Sequence, residues 1–147
     1  MTEPPEHTRK EWMALLAKAA PKRLADLMPD LPDHAFLRPP EVGVVMVRGR
    51  IGGSGGAFNL GEITVTRASV RLEGGVVGHA WVQGRDRGHA TRAAVADALM
   101  QTDAAADLRR NVLEVLAHEA TNARDLRAAK AAATKVDFFT MVRGEDR

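Results

Sequence analysis

Apolar positions at the start of the chain fall at helical spacing. Thr8-Arg9-Lys10-Glu11 has the spacing of a capping box, in which the Thr8 and Glu11 side chains satisfy free backbone donors at a helix start. Trp12, Leu15, Leu16 and Ala19 follow at i, i+3, i+4 and i+7, forming one apolar stripe. Pro21 suits the first position of a second short helix, with Leu24, Leu27 and Met28 facing inward. Pro29, Pro32, Pro39 and Pro40 then predict a proline-rich extended connector over 29–40.

In the middle third the period shortens to two. Val42 to Arg50 is rich in β-branched residues. From Glu62 to Leu72, Thr66, Ala68, Val70 and Leu72 take one face, while Arg67, Ser69 and Arg71 take the other. Gly74-Gly75 supplies a tight turn into a third strand, Val76 to Gln83. Short loops between such strands predict an antiparallel meander of three or more strands, not a βαβ unit. From about Gly88 the helical period returns, with Thr91, Val95, Ala98, Leu99 and Thr102 on one stripe. An Ala-rich helical region follows over 103–135, with a break expected near His118 to Thr121. The close of the chain is apolar without helical pattern, and predicts an extended tail over 136–147. The fold class is α+β: N-terminal helices, central meander, C-terminal helices and an extended apolar tail, in a single domain over 1–147.

Composition narrows the chemistry. The 147 residues include no cysteine, which excludes disulfides, thiolate zinc sites, a cysteine nucleophile and an iron–sulfur cluster held by this chain alone. The sequence pI near 9.4 overstates how basic the chain is. With no Tyr or Cys, few groups titrate between neutral pH and 10, and the net charge is only +2. No run of 18 apolar residues occurs, and Met1 to Glu6 lacks the regions of a signal peptide, so the expected location is the cytoplasm, with no membrane contact.

Charge type is more informative than net charge. No lysine stands between Lys22 and Lys130. Residues 48–92 carry Arg48, Arg50, Arg67, Arg71, Arg85, Arg87 and Arg92 against Glu62, Glu73 and Asp86. Arginine suits planar, bidentate contact with carboxylate or phosphate. Strand alternation puts Arg67 with Arg71 on one face, Arg48 with Arg50 on one face, and His79 with Trp81 together on the third strand. A solvated surface, a protein interface and an anion site all remain open for this Arg-lined sheet.

Gly84-Arg85-Asp86-Arg87-Gly88-His89 lies where the third strand meets a helix. Asp86 can cap that helix, and Arg85, Asp86, Arg87 and His89 join Arg48, Arg50, Arg67, Arg71 and Trp81 as anion or interface candidates. The glycine-rich Ile51 to Ala57 lacks the lysine and following helix of a phosphate loop, and reads as a flexible hairpin loop. The tail residues Phe138, Phe139, Met141, Val142 and Arg143 are interface candidates, because neighbours on an extended segment point opposite ways. The histidines at 7, 34, 79, 89 and 118 are scattered. No paired carboxylates, nucleophile–base spacing or metal-ligand cluster stands out, so no catalytic or metal residue is assigned and the isolated chain is expected to be inactive.

Trp81-Val82-Gln83-Gly84-Arg85-Asp86 followed by His89-Ala90 resembles the PhnG family, the small subunit of the bacterial carbon–phosphorus lyase system. So do Glu41 to Arg50, the glycine-rich loop, Thr64-Val65-Thr66-Arg67-Ala68 and Asp97-Ala98-Leu99-Met100-Gln101. Val136 to Gly144 is the most specific string, and the likeness covers about residues 10 to 144. The resemblance implies a core complex with PhnH, PhnI and PhnJ, aided functionally by PhnL. It implies transfer of an alkylphosphonate to C1 of the ATP ribose, displacing adenine, with ATP as co-substrate of the complex and no cofactor on this chain. Cleavage of the carbon–phosphorus bond falls to PhnJ, an iron–sulfur radical S-adenosylmethionine protein, which agrees with the absence of cysteine here. Asp103 to Lys130 departs from the family's strings. The alternative is a stand-alone anion- or nucleic-acid-binding module using the Arg-lined sheet, although missing lysines and few aromatics argue against stacking on single strands.

Overall fold

The first helix starts as its sequence dictates. In the computed structural model, which describes residues 7–136 and 138, the Glu11 carboxylate accepts from the Thr8 N–H at 2.7 Å. Thr8 Oγ1 in turn accepts from the Glu11 N–H at 3.4 Å, completing the capping box. Helix α1 (Arg9–Lys18) buries Leu16, and α2 (Pro21–Leu27) opens on Pro21 and buries Leu24. Burying one such side chain contributes roughly 1.5–3 kcal/mol.

Three antiparallel strands follow in the order β1 (His34–Arg50), β2 (Ala57–Leu72) and β3 (Val77–Gln83). Gly74 and Gly75, both at positive φ, make the turn between β2 and β3. β1 begins well before Val42 and takes in the second half of the proline-rich connector. The register shifts between Phe36 and Arg38, and again between Arg38 and Glu41. These bulges let Pro39 and Pro40, which have no N–H to donate, sit in an edge strand. The prolines keep the backbone extended, as expected, but do not stop pairing.

β3 reaches only Val65–Arg71 of β2. Beyond that point β1 and β2 continue as a two-stranded ribbon, pairing Val44 with Thr64 and Arg50 with Ala57. A short 3-10 turn, Ile51–Gly53, closes it with Gly52 and Gly53 at positive φ. The glycine-rich stretch is thus a hairpin loop.

Helix α3 (Arg87–Leu99) covers one face of the sheet. Asp86 caps it, its Oδ1 accepting from the His89 N–H at 2.9 Å. Ala90, Ala93, Ala94, Ala96 and Ala98 are all buried, and with Ala68, Val70, Ala80 and Val82 they form much of the core. Small side chains let the helix backbone come close to the strands. At Gly78 a Cβ would collide with the Ala94 carbonyl oxygen and the Ala98 nitrogen. α1 and α2 pack on α3.

The C-terminal helical region differs from its expected form. Helix α4 (Ala105–Leu108) passes through a π-helical turn, Arg109–Leu113, into α5 (Glu114–Ala133). No break occurs at His118 to Thr121, where no Gly or Pro interrupts the backbone. The irregularity lies at the π turn, whose Val112 and Leu113 are buried. The described residues form two compact units, one up to Ala117 and one from His118. Among them, no helix is long and apolar enough to cross a membrane.

Candidate functional site

Strand alternation and the cover of α3 leave Arg67, Ser69, Arg71, His79, Trp81 and Gln83 on the other face of the sheet. The register sets Glu41, Arg67 and Trp81 side by side across all three strands. Arg67 donates through Nε to Glu41 Oε2 at 3.2 Å, and its Nη2 lies 3.2 Å from the same oxygen as an ion pair. Arg38 Nη1 donates to the same oxygen at 3.0 Å. The Arg67 guanidinium also lies 5.5 Å from the centre of the Trp81 ring, within cation–π range. The Arg38 hydrogen bond, and then Arg67, hold the Glu41 carboxyl below its usual range.

Trp81 is 51% exposed, a large share for an indole. It lines two recesses. One, of about 170 Å³, also draws on Glu41, Val44, Val65 and Arg67. The other, of about 220 Å³, is an apolar groove between α1 and β3 with Met13, Ala14, Ala17 and His79 in its wall. Beside it Ser69 Oγ and His79 Nδ1 make a cross-strand hydrogen bond of 2.7 Å. A half-exposed tryptophan with an oriented arginine and shallow apolar recesses suits contact with another surface.

The other sequence-selected residues scatter around this row. Arg71 is exposed, opposite Ala35 and Val77. Arg48 and Arg50 lie out on the ribbon opposite Asn59 and Ala57, away from β3; Arg50 Nη1 donates to the Gly55 carbonyl at 3.4 Å. Arg85 and Arg87 are exposed at the start of α3, and Arg87 lines an open groove with Arg38, Pro39, Pro40 and Glu41. His89 corrects its expected place among the surface candidates. It is 4% exposed, and its Nε2 donates to the Leu16 carbonyl at 2.8 Å, tying α3 to α1. Phe138 is 92% exposed, whereas Phe139, Met141, Val142 and Arg143 lie outside the described residues.

Pattern reading missed Asp97, a fully buried carboxylate on α3. Oδ1 accepts from Arg9 Nε at 3.1 Å and Trp12 Nε1 at 2.8 Å. Oδ2 accepts from Arg9 Nη2 at 2.8 Å and from the backbone N–H of His79 at 2.9 Å. Every carboxylate lone-pair site is used. Hydrogen bonding to Asp97 holds the Arg9 guanidinium above its ordinary value. The knot joins α1, α3 and the outer edge of β3 behind the groove at Trp81. The one available signal was an acid set among small apolar residues in a helix.

Residues 7–144 match the family model described as phosphonate metabolism protein PhnG. The chain is 51% identical over 146 residues to the alpha-D-ribose 1-methylphosphonate 5-triphosphate synthase subunit PhnG of Rhizobium meliloti (strain 1021). The match covers 94% of this chain and 90% of that relative.

Proposed function

The chain belongs to the PhnG family, and on that premise we propose that it is a subunit of an alpha-D-ribose 1-methylphosphonate 5-triphosphate synthase. In that role it supports transfer of an alkylphosphonate to C1 of the ATP ribose with displacement of adenine, within the carbon–phosphorus lyase core complex. The carrying observation is identity to a named synthase subunit along nearly its whole length. PhnI-, PhnH- and PhnJ-like chains are its proposed physical partners, with a PhnL-like protein acting alongside, and the cytoplasm is its proposed location.

The surface supports a contact-making role. Trp81 stands half out of the sheet beside an arginine already oriented by Glu41. Because Arg67 is occupied in this way, the sheet offers less free positive charge to a nucleic acid than its arginine count suggests. The exposed Phe138 supports a partner-facing role for the tail.

The test is to express the chain alone and together with the proteins encoded beside it, then follow adenine release from ATP and methylphosphonate. The assembled proteins should release adenine, the same set without this chain should not, and the chain alone should be inactive. Turnover by the single chain, or a full rate in its absence, would overturn the reading. In the same assay, a chain lacking residues 136–147 should fold but no longer co-purify; normal assembly of that chain would remove the tail from the interface.

A further inference from the structure

Sheet edges invite pairing with other chains, and natural proteins shield them with charges, prolines and bulges. The first half of β1, an edge strand, is shielded in this way by Arg38, Pro39, Pro40 and two register shifts. Between Glu41 and the next shift, at Val47/Arg48, the strand is not. Val42-Gly43-Val44-Val45-Met46-Val47 has no charge, no proline and no register shift within it. On the other side of the ribbon, past the Gly84 N–H that donates to the Thr64 carbonyl, β2 is unpaired by β3 from Ile63 back to Ala57.

Two strands alone are marginally stable in water, and this ribbon is also greasy. Val44 is 61% exposed, Met46 53%, Phe58 41% and Leu60 66%, with Ile51 at the tip 68%. Single exposed apolar residues need no explanation, but this arm carries five, with Val44 and Met46 on one face and Phe58, opposite Gly49, on the other, so that only an enclosing partner would cover them all. Together they offer on the order of 500 Å², against about 800 Å² that each partner contributes to a specific interface.

We propose that the ribbon over 42–64 is a docking arm, enclosed by a different subunit of the synthase in an apolar cleft rimmed with carboxylates. This rests on the subunit role proposed above. The acidic rim follows from Arg48 and Arg50, neither of which has a carboxylate partner among the described residues. A second copy of this chain fits less well. Two β1 edges paired about a two-fold axis would cover 42–47 but leave Ile51, Phe58 and Leu60 in water. They would also set each copy's Pro39-Pro40 bulge against the Arg48 end of the other, ending the ladder.

The experiment compares the wild-type chain with Met46→Glu, Leu60→Asp and Arg48→Glu, each co-expressed with its neighbouring subunits. These side chains are exposed, so the free variants should keep the wild-type circular dichroism spectrum and melting temperature. Recovery of the complex should fall at least tenfold for each, and amides over 42–64 should gain hydrogen-exchange protection in the wild-type complex. If the wild-type chain joins no complex, the subunit role itself fails. If it joins and the variants join equally well, with no protection over 42–64, the arm alone is refuted. A free chain that dimerises, and loses dimerisation in Leu60→Asp, would identify a second copy as the occupant and overturn the proposal. Should any variant misfold, exchange protection in the wild-type complex decides the matter without it.

Discussion

Replacing Asp97 by Ala would strip four donors of their acceptor at once. Arg9 Nε and Nη2 can turn to water, because Arg9 is 45% exposed at its side chain. Trp12 Nε1 and the His79 N–H are held in place by α1 and β3. A donor left buried without its acceptor costs about 1–3 kcal/mol, and with two such donors Asp97→Ala should destabilise the chain by about 2–5 kcal/mol in urea unfolding. Asp97→Asn, which keeps one acceptor oxygen, should lose less. A near-neutral Asp97→Ala would show that the carboxylate does not hold the three elements together. Pattern reading missed it because a lone acid in a helix is normally solvent-facing, and its partners stand in α1 and β3. The Glu41–Arg67–Trp81 row was partly legible, since alternation put Arg67 and Trp81 on defined faces. Glu41 joined it only through the proline bulges, which no period records.

At the scale of elements, the packing of α3 on the sheet turns on Gly78. A methyl group there meets helix backbone atoms, which cannot rotate away as a side chain can. Gly78→Ala should therefore lower stability by about 1–3 kcal/mol, the usual range for overpacking. Gly43→Ala is the control, because a Cβ at Gly43 meets nothing within 4 Å, and it should change stability little. Equal unfolding midpoints for the two variants would contradict the close approach of helix and strand. The elements themselves were largely readable: both N-terminal helices, the meander, its glycine turn and the Asp86 cap follow from local spacing. The start of β1 was not, because proline argues against a central strand but is tolerated at an edge. The helical irregularity was likewise misplaced. The π turn at Arg109–Leu113 has no breaker residue, and only the core that receives Val112 and Leu113 accounts for it.

For the whole chain, the Asp97 knot closes over a separation of 88 residues, from Arg9. The hairpin turns and the contacts of α3 with β2 and β3 close over shorter spans, and closure entropy grows with span. Helix α1 should thus be less firmly held than the sheet it covers. Native-state hydrogen exchange should show its amides opening at a lower free energy than those of β2 and α3. Amides of α1 that exchange only with global unfolding would contradict this. Synthesis makes the asymmetry sharper, because the ribosome releases α1 well before its docking surface. At about 5–20 residues per second, the Leu16 stripe waits roughly 4–18 seconds for residues 87–99 to appear. During that interval the nascent chain carries an apolar helix with nowhere to lie. A segment made early is placed late, and the growing chain depends meanwhile on whatever shields that stripe.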